Sequence, residues 1–296
     1  VDSLTHALIA AIAVTVLAPP ELIPFAVLGS VIIDADVLFS RISDRDPALY
    51  LFSHGGIAHS IVGSAVMSVL ASAGIAIGSI VGSIAPATLM TAAPVAVLAV
   101  LGGSFLHIAL DWLACPGIPL LAPFSDRKYT AGLLPGPSIL LFGVSLAFLA
   151  GLTLGIARWP FTILPYGAIV VSFLAVRFAA FVFVRVMLRG ALRLVPMVSP
   201  LRWLVIRETP GAWDVAEYRV GRGMTRTTSY PVGPATNEGP LARLLDRPEV
   251  RRVRYHSYIV SVEMVGSTLV VSDPLRSAGI IRYPPHYRCV RVSVPE

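Results

Sequence analysis

Val95-Ala96-Val97-Leu98-Ala99-Val100-Leu101-Gly102-Gly103-Ser104-Phe105-Leu106-His107-Ile108-Ala109-Leu110-Asp111 reads as a membrane-length apolar helix that finishes on two polar side chains. His107 and Asp111 are four apart, so a helix puts both on one face. At the end of such a run, an imidazole or carboxylate buried without a partner is costly. A metal ion is a partner that both can share. The competing reading is a buried His–Asp hydrogen bond with no ion.

Outward from this stretch the chain keeps the same character. Of its 296 residues, 55% are hydrophobic and only 14% charged, and the mean hydropathy is +0.77. Helices in a bilayer explain that composition better than a soluble core. Six apolar segments stand out, at about 4–18, 22–39, 57–84, 88–114, 138–157 and 161–189. The first two are short for a span. Pro19-Pro20 separates them by a tight turn. The first run lacks a basic leader and carries Asp2, Thr5 and His6, so it reads as a retained helix rather than a cleaved signal. Residues 115–137 hold five prolines and three glycines, an irregular loop.

Beyond residue 200 the pattern changes to short β-branched runs: Trp203 to Ile206, Val253 to Val262, Thr268 to Val271 and Cys289 to Val294. Tyr283-Pro284-Pro285 reads as a turn. The expected fold is therefore an all-α polytopic membrane domain of about six helices, residues 1–195. A small, mostly-β cytoplasmic domain follows, residues 196–296. Charge divides the same way. Residues 1–189 carry eight basic and eight acidic side chains, and residues 190–296 carry fifteen arginines against nine acidic groups. Cys115 and Cys289 form no framework, which argues against a disulfide scaffold or a thiolate zinc site.

Arg185, Arg189, Arg193 and Arg202 follow the sixth segment and mark its end as cytoplasmic. Counting back through six spans puts both termini inside. The same count brings His6, Asp34, Asp36, His54, His59, His107 and Asp111 to one membrane face. Four of the six histidines in the chain and three carboxylates thus meet in one layer. His256 and His286 show no ligand spacing. Asp34 and Asp36 are two apart and cannot share a helical face, so one can ligate while the other bridges, orients a ligand or caps. The Gly55-Gly56 joint lets His54 and His59 turn toward one cluster. Nitrogen and oxygen donors without thiolate suit zinc, manganese or iron. Water on such an ion becomes a nucleophile, and Asp34 or Asp36 is the natural base for it.

These motifs resemble the YdjM-like family of membrane-bound metal-dependent hydrolases. The resemblance runs through Asp2-Ser3-Leu4-Thr5-His6, Asp34-Ala35-Asp36, His54-Gly55-Gly56-Ile57-Ala58-His59-Ser60, His107 with Asp111, and the Pro116-to-Ser125 tail. Three positions depart from the family pattern. Ile33 replaces a proline, Gly55 an arginine and Ala58 a threonine. The family is distantly similar to zinc-dependent phospholipase C and P1-type nucleases. That likeness implies phosphoester hydrolysis with one to three divalent ions, zinc first.

The expectation is a metal-dependent hydrolase in the inner (cytoplasmic) membrane that acts on a phospholipid or lipid-linked phosphate. Ser125, Arg127 and Lys128 are the candidate substrate contacts. Membrane lipid is the expected partner and nucleic acid is not. The alternative is a transporter or metal-handling protein, for which Arg177 within the sixth segment is the best support. An intramembrane protease is disfavoured because no HExxH occurs.

Overall fold

The computed structural model describes residues 1–80, 93–190, 192–232, 240–281 and 287–293. The far end of the third apolar segment, the start of the fourth, the Tyr283–Pro285 turn, His286 and Val294 lie outside these residues. Backbone packing divides the chain into two units, Val1–Arg41 with Leu51–Phe181, and Ile42–Tyr50 with Val182–Glu296.

The first unit is helical. Its elements are α1 (Ser3–Leu17), α2 (Ile23–Ile32), a 3-10 segment (Ile33–Phe39), and α3 (Ser40–Arg45), along which the chain leaves the unit. After its return come a 3-10 turn (Ile57–His59), α4 (Ile61–Ile80), α5 (Ala93–Trp112), α6 (Ile139–Thr153) and most of α7 (Ile163–Met187). Among the described residues, four stretches are long and apolar enough to cross a membrane: Pro20–Arg45, Ile61–Gly78, Pro94–Trp112 and Ile163–Met187. Two shorter apolar helices, Ser3–Leu17 and Ile139–Thr153, complete the six. The second segment is longer than its apolar run suggests, because the 3-10 turn and α3 continue it to Arg45. The fifth is shorter, because α6 stops before Gly155, which takes φ +71°.

Close packing of α2 on α5 positions the site. A Cβ at Gly29 would lie 1.9 Å from the Val100 carbonyl oxygen, and one at Gly103 2.0 Å from that of Ala26. The two backbones touch with no side chain between them, the usual use of small residues in lipid. Buried hydroxyls add to the joint. Ser104 Oγ donates to the Gly29 carbonyl at 2.8 Å, and Ser68 Oγ donates to Ser104 Oγ at 2.7 Å. Behind α1, the buried cluster of Leu8, Ala114, Leu134, Leu141, Tyr166 and Val170 joins α1, α6 and α7 to the proline-rich loop.

The second unit is mostly antiparallel β. One sheet holds β1 (Leu192–Pro196), β2 (Arg202–Thr209), β3 (Ala212–Arg219), β4 (Gly223–Met224) and β5 (Thr228–Pro231), with β4 and β5 both paired to β3. The expected boundary at 195/196 falls inside β1. Two helices follow, α8 (Pro240–Leu245) and α9 (Pro248–His256). A second sheet orders β6 (Ser261–Val265), β7 (Thr268–Ser272) and β8 (Cys289–Ser293), with α10 (Pro274–Ser277) between the last two. The expected strand from Val253 to Val262 is a correction. Its first part is the end of α9, which Pro248 opens and which buries Val250 and Val253 three apart. Cys115 and Cys289 are both free thiols.

The α2–α5 contact generates a matched test. Gly103→Ala is expected to destabilise the protein by about 1–3 kcal/mol through overpacking. Gly102→Ala, whose Cβ meets open space, is expected to show no loss of that size. Thermal unfolding in detergent compares them.

Candidate metal centre

Apart from His54, which lies on the turn before Ile57–His59, the side chains of the centre sit at or just beyond helix ends, and the alternation of helix directions brings those ends together. Asp2 caps α1, accepting the Thr5 N–H and the Thr5 hydroxyl at 2.8 Å each. Thr5 Oγ1 lies 2.8 Å from Ser145 Oγ, itself 2.8 Å from Tyr166 OH, a buried hydroxyl chain from α1 through α6 to α7. The next residue, His6, is thereby held with its ring stacked on His107, centroids 3.8 Å apart. Its Nε2 is 3.1 Å from Asp111 Oδ1.

The 3-10 segment after α2 separates the two carboxylates. Asp34 accepts the Ser3 hydroxyl through Oδ2 and turns Oδ1 toward His59 and His107. Asp36 points the other way. Its Oδ1 is 2.6 Å from His54 Nδ1, and its Oδ2 accepts the Gly55 N–H at 3.0 Å and faces His59 Nδ1 at 3.0 Å. The Gly55-Gly56 joint works as its composition suggests. Gly55 takes φ +75°, and a Cβ at Gly56 would meet the Leu51 carbonyl oxygen at 2.0 Å.

At the centre, four acceptor atoms converge. His59 Nε2 and His107 Nε2 are 3.2 Å apart. Asp34 Oδ1 lies 3.5 Å from each, and Asp111 Oδ2 lies 3.4 Å from each. A tetrahedral ion with ligands at about 2.0–2.1 Å keeps its donors about 3.3–3.4 Å apart, close to the spacing of His59 Nε2, His107 Nε2 and Asp111 Oδ2, which lie 3.2–3.4 Å from one another. His107 Nδ1 donates to the Ser30 carbonyl at 2.6 Å, leaving Nε2 with its lone pair inward. The donor set therefore fits a divalent cation by both spacing and chemistry.

Among the described residues, three overlapping groups can hold an ion: His6, His107 and Asp111; Asp34, His59 and His107; and Asp36, His54 and His59. They share His59 and His107. A neutral imidazole has one lone pair, so His59 cannot ligate through Nε2 and Nδ1 at once. The groups compete for those two rings. His6, His59 and His107 are nearly sealed, whereas Asp34, Asp111 and above all His54, 35% exposed at its side chain, face solvent. Burial works against charge on His54, but its bond to Asp36 outweighs this and raises it above the ordinary imidazole range.

All seven residues singled out in the sequence thus come together. Ser125, Arg127 and Lys128 lie on the proline-rich loop. Ser125 Oγ accepts the Arg127 N–H at 3.3 Å, and the Arg127 guanidinium sits 5.5 Å from the Tyr129 ring centroid. The loop is tied to the centre where Leu120 O accepts the Ile61 N–H at 3.1 Å, two residues past His59. Arg177 is fully buried and donates through Nε to the Leu133 carbonyl at 2.8 Å, bracing that loop. Sequence reasoning passed over Ser3, Ser145, Tyr166 and the Ser30 carbonyl. Hydroxyls inside apolar runs were the available signal for Ser145 and Tyr166; a backbone carbonyl leaves none.

Metal titration of the purified protein tests the geometry. His107→Ala is expected to abolish stoichiometric binding. Asp36→Asn, which loosens the orientation of His59, is expected to weaken affinity about 10–100-fold.

Residues 1–191 match the family described as YdjM inner membrane protein. No curated relative and no solved structure matches the chain. The match covers every helix that supplies the centre, and it agrees with four membrane-length apolar helices. The chain belongs to the YdjM inner membrane protein family.

Proposed function

We propose that this membrane protein is a metal-dependent hydrolase acting on a phosphoester of an amphiphilic substrate, a phospholipid or lipid-linked phosphate. The observation that carries the reading is the convergence of His59 Nε2, His107 Nε2, Asp34 Oδ1 and Asp111 Oδ2, open on the Asp34 and His54 side. A zinc-class ion held by His59 Nε2, His107 Nε2 and Asp111 Oδ2, with Asp34 left free of it, would supply Lewis acidity and a bound water that ionises near about pH 7.

The chain's own groups divide the remaining work. Asp36 and the Ser30 carbonyl aim the two imidazoles. Asp34, reached by solvent and steadied by Ser3, takes the proton of the attacking water at its carboxylate. His54, exposed and paired to Asp36, returns a proton to the leaving oxygen. Arg127 and Lys128 offer cations for the phosphate where this chain has Gly55. Exposed apolar residues follow the donors in sequence: Val37, Leu38 and Phe39 after Asp36, Ile61 after His59, and Trp112 after Asp111. Such a border suits a substrate with an apolar tail. The positive-inside count supports a cytoplasmic location for this end of the bundle.

Elemental analysis combined with a panel of phosphoester substrates tests the proposal. Hydrolysis is expected with stoichiometric metal, lost on chelation and restored by zinc. Asp34→Asn is expected to reduce it about 10²–10⁴-fold. A metal-free yet active protein, or metal flux in proteoliposomes without hydrolysis, would overturn the reading.

A further inference from the structure

Between Asp36 and His54 the chain makes an excursion out of the helical unit. It leaves after Arg41 and returns at Leu51, and the intervening Ile42–Tyr50 packs as part of the second unit. The excursion has a closed neck. His54 Nδ1 meets Asp36 Oδ1 at 2.6 Å, the Gly55 N–H donates to Asp36 Oδ2 at 3.0 Å, and the His54 N–H donates to Ser40 Oγ at 3.2 Å. The outgoing strand of the neck carries Asp34 and Asp36; the returning strand carries His54 and His59.

The head of the excursion is gripped at three points. Arg252 Nη1 donates to the Ser43 carbonyl at 2.9 Å, and its guanidinium lies 4.5 Å from the Tyr287 ring centroid. The Tyr287 hydroxyl donates to Asp44 at 2.5 Å. Arg251 Nη2 donates to the Tyr50 hydroxyl at 3.0 Å, while the Tyr50 ring packs 5.1 Å from that of Tyr255. Ser43 and Tyr50 are both buried. Three of the gripping residues, Arg251, Arg252 and Tyr255, come from α9 alone. A loop held this way is short of freedom at its tip, and the order is passed along its covalent arms to the neck.

We infer that the C-terminal unit is a positioning device for the metal centre: Arg251 and Arg252, acting through Ile42–Tyr50, keep the Asp36–His54 neck closed. The inference rests on reading the His and Asp cluster as a metal centre. Neither arginine touches a donor; both act through the loop. If the grip is released, Asp36 loses its fixed partner in His54, and His59 loses the carboxylate that faces its Nδ1 at 3.0 Å.

The test uses the full chain in detergent, with cobalt(II) as the probe. Affinity and the d–d absorption spectrum are read together with hydrogen exchange over 42–52. In Arg251→Ala/Arg252→Ala, exchange is expected to rise, affinity to fall about 10–100-fold and the spectrum to change. Arg252→Lys in the otherwise unchanged chain is expected to hold most of the affinity, because a single donor and a cation over Tyr287 suffice. Tyr50→Phe and Tyr287→Phe remove one hydroxyl each while keeping ring packing, so they report even if the double variant does not fold; each is expected to give a smaller loss. Arg202→Ala, which breaks a half-buried pair with Glu217 in the same unit, away from the contacts of Ile42–Tyr50, is expected to leave the spectrum unchanged. Faster exchange at 42–52 with unaltered affinity and spectrum would overturn the inference while leaving the metal centre standing. Failure of the unsubstituted protein to bind cobalt would overturn both.

Discussion

Two imidazole nitrogens and two carboxylate oxygens aimed at one point repel one another unless positive charge lies among them. That requirement organises the helical unit. Each donor is expensive to bury by itself, and each is delivered by a helix end that other contacts hold in place. Asp2 and the Thr5–Ser145–Tyr166 chain hold α1. The glycine contact joins α2 to α5. The Ser30 carbonyl on α2 then fixes His107 on α5 directly. The helices bring the donors together, and the donors are the reason the ends must meet.

Much of this was visible in the chain. The six apolar runs, their alternation and the polar residues at their ends suffice to bring seven side chains to one face. What spacing does not reveal is the division of labour. Asp34 and Asp36 look equivalent in sequence, and only the 3-10 geometry separates a carboxylate on the lone-pair side of His59 from one on its Nδ1 side. Val253 looked like strand because it opens a run that ends in Ile259, Val260 and Val262; the helix emerges because Val250 and Val253 bury the same stripe of α9. The excursion of Ile42–Tyr50 was equally hidden. Polar composition marks a loop, but it does not say which unit the loop packs with.

Among the described residues, other polar groups buried among the spans make local structural contacts. Arg177 braces the Leu133 carbonyl, and Ser68 and Ser104 bond across α4, α5 and α2. These groups are scattered, and each is committed to a local contact. The His and Asp groups that could hold an ion are instead gathered in one cluster, unlike the chain of polar groups that lines a path through a membrane.

Gly55 carries a consequence of its own. It occupies a left-handed backbone position beside the exposed His54, yet a Cβ built there meets nothing within 4 Å. A side chain at this point would face a backbone cost of about 1–2 kcal/mol and no steric one. The rim of the site therefore has a position that sequence drift can vary at small expense while every donor stays in place. Residue 55 is thus a handle on the surface of the centre that leaves its seven His and Asp side chains untouched.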